Sequence, residues 1–194
     1  MYKKIWWLLF AVSVIIVGLN YKNILRVFYP IQYENEVVKY SREYELDEYM
    51  VYSLIRVESK FIPNAKSNKD AIGLMQITTQ TGKYLARLLG DNDYTDNHLY
   101  NPEINIKYGC FYFKKLLKDF DGDLNCALAA YNGGEGNVRK WASVNEYGKR
   151  NLIVENIPFS ETRKYIKRVN MYYKIYKLLY TDKNIMKYFS KLTN

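Results

Sequence analysis

Residues 58–76 read ESKFIPNAKSNKDAIGLMQ. The stretch begins with a glutamate that closes an apolar helical run and ends on a small uncharged turn, Gly73-Leu74-Met75-Gln76. Upstream, Val51, Leu54, Ile55 and Glu58 follow the i, i+3, i+4, i+7 spacing of one helix face over about 48–59. The pattern therefore sets a carboxylate where it calls for a hydrophobe. Asp47 supplies an N-cap for this helix, and Leu46 is placed to pack onto Val51. Apolar surroundings disfavour a charged carboxylate, and the negative end of the helix dipole acts in the same direction. Both raise the pKa of Glu58 toward the range of a general acid working near neutral pH. Periodicity alone leaves two other readings open: a hydrogen-bonded structural glutamate, or one that reaches water from the helix end.

Outward from this stretch the pattern is helical, with no convincing strand alternation. A helix fits residues 33–45, and another 79–89. Asn101-Pro102 starts the next, with Asn as cap and Pro at the first helical position. It carries the stripe Ile106, Cys110, Phe113, Leu117, Phe120 and stops at Asp121-Gly122-Asp123. Asp123 caps a short helix with inner face Leu124, Ala127, Leu128 and Tyr131, ended by Asn132-Gly133-Gly134. Residues 143–158 read as a loop. A last helix spans about 160–180, with Tyr165, Val169, Tyr172, Tyr176 and Leu179 spaced to face inward.

The N-terminus differs in kind. Residues 5–21, IWWLLFAVSVIIVGLNY, carry no charge, and Trp6, Trp7 and Tyr21 suit the membrane interface. No small-x-small site follows, so the run reads as an uncleaved anchor, with Lys3 and Lys4 inside and the body facing outward. The remainder of the 194 residues suits one domain. A net charge of +9 would suit nucleic acid, acidic lipid or an acidic wall polymer. The basic residues are interleaved with Tyr, Ile and Leu, as in RKYIKRVNMYYKIYKLL, which reads as a solvated helix face. An outward-facing domain does not meet nucleic acid. Cys110 and Cys126 form no CxxC pair; a buried thiol is the favoured reading for Cys110, although an oxidising compartment would permit a bridge.

Three other motifs fail on inspection. DFDGDLNCALAA lacks the loop glycine and the terminal glutamate of a calcium loop, since Leu124 and Ala130 stand there. GGEGNV follows a helix and not a strand, so it is no dinucleotide fingerprint. His98 is the only histidine, which removes His-based triads and most zinc sites. No metal or organic cofactor is implied.

The words VESKF, AIGLMQIT, ALAAYNGGEGNV and IPFSETRKYIKRV occur in that order. Together they resemble the soluble-transglycosylase (SLT) family of lytic transglycosylases over about residues 35–178. The resemblance implies an all-α, lysozyme-like domain that cleaves the β-1,4 bond between N-acetylmuramic acid and N-acetylglucosamine in peptidoglycan, leaving a 1,6-anhydro end. It places the single catalytic acid and base on Glu58, with Ser59 completing the word. It places Ser67 at the frame of the site and Met75 and Gln76 in the cleft, and it matches Ala130, Tyr131 and Asn132 to a further site word whose tyrosine lies close to the carboxylate. Glu161, Thr162 and Tyr165 match a further cleft word, in which Glu161 and Tyr165 are the expected site residues. The link before Gly73 often reads Ser-Pro-x-Gly-Ala in the family, and here it is Ser-Asn-Lys-Asp-Ala.

The organisation expected is a short cytoplasmic end and transmembrane anchor over 1–21, a stalk over 22–32, the catalytic domain over 33–182 and a tail over 183–194. The partners expected are peptidoglycan glycan strands and, through the N-terminal helix, the cell membrane. Two other activities are compatible with the words: a goose-type lysozyme hydrolysing the same bond, and a non-catalytic glycan-binding scaffold of a wall machine.

Overall fold

The computed structural model describes residues 2–144 and 150–192, with side chains except at 143–144, 150–151 and 182–192. The chain divides into a unit of residues 32–175 and a second unit that joins residues up to 31 to those from 176 onward.

In the larger unit, helices α2 (Glu34–Glu43) and α3 (Glu48–Glu58) precede a hairpin of β1 (Ala71–Ile72) and β2 (Ile77–Thr78). Helices α4 (Thr79–Leu89), α5 (Pro102–Asp119), α6 (Leu124–Gly133) and α7 (Glu135–Trp141) follow. After a second hairpin, β3 (Ser143–Val144) with β4 (Arg150–Asn151), the chain enters α8 (Ser160–Leu192). The starts of α3, α5 and α6 are set by their caps. Asp47 accepts from the Tyr49 N–H, Asn101 from Glu103 and Ile104, and Asp123 from Cys126.

The core gathers around α6, which lies against α5 and α7. Ala127, Leu128, Ala129 and Ala130 are all wholly buried, so this helix is enclosed on every side. Its small residues let the neighbouring helices come close. Val51, Leu54 and Ile55 of α3, Phe113 and Leu116 of α5, and Ile166 and Val169 of α8 complete the interior. Cys110 and Cys126 are buried thiols, and burial pushes the Cys110 thiol up. A smaller cluster of Ile72, Ile77, Leu85, Ala86, Leu99 and Tyr108 seats the first hairpin on α4 and α5.

Several elements differ from the sequence expectation. Both hairpins are absent from it, because strands of two residues are too short to show an alternation. Within the expected loop 143–158, residues 143–144 pair with 150–151 and Val154–Asn156 make a 3₁₀ turn, while 145–149 lie outside the described residues. Helix α7 was unforeseen. Helix α8 continues beyond Tyr180, so the expected tail is helical to Leu192, and its last two residues lie outside the described ones.

In the smaller unit, α1 (Tyr2–Phe28) is one unbroken helix with no buried residue, long and apolar enough to cross a membrane. Residues 22–28, expected to begin the stalk, continue it. Its end is tied to the later part of α8: the Arg26 guanidinium donates to the Leu179 carbonyl and lies 5.4 Å from the Tyr180 ring centre. The Tyr180 hydroxyl donates to the Tyr29 carbonyl at 2.8 Å.

Candidate active site

Glu58 is the last residue of α3, so its carboxyl sits where the backbone carbonyls of that helix point. Part of the residue remains open to solvent, while the atoms packed around the carboxyl displace most of its water. The group is largely enclosed and only partly open to solvent. That loss of water pushes its pKa from 4.5 up to about 7, against the opposing pulls of the Tyr165 hydroxyl and the Arg168 charge. The Tyr165 hydroxyl of α8 donates to Glu58 Oε1 at 2.6 Å. Burial, with the nearby Glu58 adding to it, pushes the hydroxyls of Tyr165 and Tyr131 well above the usual tyrosine range. Both stay neutral donors beside the carboxyl.

The chain after Glu58 turns sharply. Lys60, Phe61, Asp70 and Gln76 all have left-handed backbones, with φ of 54°, 67°, 55° and 49°. Such a conformation costs a non-glycine residue about 1 kcal/mol, so each needs support from its surroundings. Gln76 Nε2 supplies some of it by donating to the carbonyls of Gly73 at 2.9 Å and Ala65 at 3.2 Å. Ser67 Oγ accepts from the Ala71 N–H at 3.1 Å and the Lys69 N–H at 3.2 Å, closing the 67–71 link on itself. Asp70 stands where the family often has glycine, and its positive φ explains that preference.

The turn at 73–76 is held from α5 by Asn105, a buried residue that the motif reading missed. Its Oδ1 accepts from the Met75 N–H at 2.7 Å, and its Nδ2 donates to the carbonyls of Leu99 at 2.8 Å and Ile72 at 2.9 Å. A Cβ at Gly73 would overlap both the Asn105 amide and the Leu99 carbonyl, so only glycine lets this clamp approach. A clue was available in sequence: Asn105, Tyr108 and Gly109 follow i, i+3, i+4 spacing, and all three are buried. Met75 itself is wholly buried, its side chain packed against Gly109. What it offers the site is backbone: its carbonyl accepts from the Tyr131 hydroxyl at 2.8 Å.

Two residues at the other wall are joined. The Thr162 hydroxyl donates to Asn132 Oδ1 at 2.9 Å, which turns the Asn132 amide nitrogen away from α8. Thr162 is nearly fully buried, a second positioning residue left unassigned by the motif reading. Glu161, one residue earlier, is 75% exposed and lies 3.9 Å from Lys69 Nζ of the 67–71 link. Its charge reaches Glu58 and slightly favours the protonated form. The structure thus brings Glu58, Tyr165, Tyr131 and the Met75 carbonyl together. Ser67 and Gln76 bond to their own loop, and Asn132 bonds to Thr162.

The family described as Transglycosylase SLT domain matches residues 36–154. The chain belongs to the SLT transglycosylase family. The soluble lytic murein transglycosylase of Salmonella typhimurium is 35% identical over 170 residues, which is 86% of this chain and 26% of that protein. Among solved SLT structures, an inactive glutamate-to-glutamine mutant of the lytic transglycosylase Slt from Pseudomonas aeruginosa is similar, with a TM-score of 0.71 and 32% identity. The 70 kDa soluble lytic transglycosylase of Escherichia coli has a TM-score of 0.71 and 33% identity. Each structure aligns with 79% of this chain and 25% of the larger one. The chain therefore spans about a quarter of the length of the SLT relatives it matches. The all-α, lysozyme-like architecture expected from the sequence is the SLT fold.

Proposed function

We propose that this SLT domain is a peptidoglycan lytic transglycosylase, cleaving the β-1,4 bond between N-acetylmuramic acid and N-acetylglucosamine with formation of a 1,6-anhydromuramic acid end. The observation that carries this reading is the enclosed carboxyl of Glu58, raised to about 7 and held by Tyr165. Near neutral pH it is protonated in a substantial fraction of molecules, as a general acid must be. Glu58 gives its proton to the glycosidic oxygen as C1 of the muramic acid takes on oxocarbenium character. The C6 hydroxyl of the same sugar attacks C1, and Glu58, now ionised, takes the hydroxyl proton. One bond breaks, one forms, the proton is returned and no water is consumed.

A hydrolytic route asks for a second carboxylate to act as nucleophile or to activate water. Glu161 is the other acid felt at Glu58, and it is solvated and engaged with Lys69 at the outer edge. The tethered C6 hydroxyl then has the advantage of high effective concentration over solvent. Tyr131 and Asn132 supply neutral groups that orient the sugar without ionising the site. No observation favours the lysozyme or scaffold reading.

The apolar α1 supports a single-pass anchor that keeps the domain on the outer face of the cell membrane, with residues 5–21 retained. Digestion of purified peptidoglycan in ¹⁸O water tests the activity. Anhydro ends without ¹⁸O are expected, and a Glu58→Gln chain should yield none. Label at a new reducing muramic acid would move the protein to the lysozyme reading.

A further inference from the structure

Helix α1 and the later part of α8 meet within one unit, at a depth that helix geometry fixes. At about 1.5 Å of rise per residue, a hydrocarbon layer of about 30 Å entered at Ile5 is crossed by about Ile24. Arg26 stands half a turn further on. Its Nε donates to the Leu179 carbonyl at 3.0 Å, and the Tyr176 hydroxyl donates to the Pro30 carbonyl at 3.4 Å. On the anchor reading above, this joint lies at the level of the lipid headgroups. Its surface suits that level: Val27 is 76% exposed, Phe28 64% and, on α8, Leu178 54%. Large apolar side chains left bare beside the end of a membrane span mark a surface that lipid covers.

From the joint, α8 continues to Leu192. Leu178, Ile185 and Leu192 recur every seven residues, and Phe189 stands four from Ile185. This is the spacing of one helix face. Lys183, Lys187 and Lys191 recur every fourth residue. Each stands two positions from Ile185 or Phe189, about 200° around the helix, so the lysines take the opposite face. Asp182 is the one acid among residues 181–192, against three lysines. An apolar stripe backed by a basic one is the pattern of a helix that lies in the plane of a bilayer interface. The positive charge and the continuity of the helix with the anchor's exit select anionic lipid as the occupant.

We propose that residues 181–192 of α8 are a second membrane contact, an amphipathic segment lying in the headgroup layer of the leaflet through which α1 leaves. The Ile185–Phe189–Leu192 face turns toward the acyl chains and the lysine face toward anionic headgroups. This rests on the anchor reading above and deepens it. A single spanning helix leaves the chain free to turn about the helix axis. A second contact, bonded to the first through Arg26 and Leu179, stops that rotation. Because α1 already holds α8 beside the bilayer, the contact forms at high effective concentration and needs little affinity of its own.

The test is spin-label accessibility in the full-length chain, reconstituted into vesicles of phosphatidylcholine and phosphatidylglycerol. The chain is labelled singly at Val14→Cys, Lys187→Cys or Phe189→Cys. Cys110 and Cys126 are buried, and the parent chain, carried through the same labelling, sets the background. Collisions with oxygen should dominate at residues 14 and 189, and collisions with a water-soluble nickel complex at 187. Adding Ile185→Glu and Leu192→Glu should shift the label at 189 to nickel-dominated collisions and leave the one at 14 unchanged. Nickel-dominated collisions at both 187 and 189 in the unaltered helix would overturn the proposal, while oxygen-dominated collisions at 14 keep the anchor. Spin–spin broadening at 189 that vanishes on dilution with unlabelled chain would give the face to a second copy and overturn the proposal too. A label at 14 that meets the nickel complex would remove the anchor reading and the second contact with it.

Discussion

Replacing Glu58 with glutamine should stabilise the protein, and only on the alkaline side. In the unfolded chain a glutamate titrates at 4.5; in the folded chain Glu58 titrates at about 7. The folded state therefore holds the proton more tightly than the unfolded one. Its contribution is fully present below the unfolded value and is lost as pH rises through the folded one. At about 1.4 kcal/mol for each pH unit between the two values, the loss is about 3 kcal/mol, and residual contact with solvent reduces it to about 2. Glutamine keeps the shape, accepts the same hydrogen bond from Tyr165 and never ionises. Thermal unfolding of both chains, followed by near-ultraviolet circular dichroism in the same detergent, should give equal midpoints near about pH 4 and a glutamine advantage of about 4–8 °C near about pH 8. Parallel curves across the range would mean that Glu58 is not desolvated in the fold. The physical basis for its acid role would then be gone.

Tyr165→Phe removes a hydrogen bond that favours the ionised carboxylate. The pKa of Glu58 should rise further, so the alkaline limb of the pH–activity profile should move to higher pH while the maximal rate changes less. A limb that moves downward, measured by initial rates on labelled peptidoglycan, contradicts the assignment. Asp70→Gly should relieve the left-handed strain at φ 55° and raise the unfolding free energy by about 0.5–1 kcal/mol, since the Lys66 ion pair that it loses is exposed. Urea unfolding checks the sign.

What the sequence revealed of this fold was carried by local signals of adequate length. The caps at Asp47, Asn101 and Asp123 lie where the helices begin, because a capping side chain bonds within three residues of itself. Of the stripe Ile106, Cys110, Phe113, Leu117 and Phe120, all are buried except Leu117, which is half-buried. The hairpins were hidden by their brevity, and α7 by Gly133, Gly134 and Gly136 around its start. In the site, the apolar face of α3 singled out Glu58, and the family words named its companions. Neither carried information on who fixes whom. Asn105 bonds across 30 residues to Met75, and Thr162 across 30 to Asn132. Such partners are set by packing, and no periodicity along the chain encodes them.

The bond from Tyr165 to Glu58 joins residues 107 positions apart. A chain delivered from its N-terminus at about 5–20 residues per second presents the glutamate about 5–20 s before the tyrosine arrives. During that interval Glu58 is an ordinary solvated acid, with neither the enclosure nor the hydroxyl that tune it. The Gly73–Gln76 turn is equally unformed until Asn105 follows and α5 docks. Biosynthesis thus carries its own safety catch: a chain still emerging lacks the tuned carboxyl, and a truncated one that lacks the start of α8 never acquires it. The last helix of the domain to be made is the one that arms it.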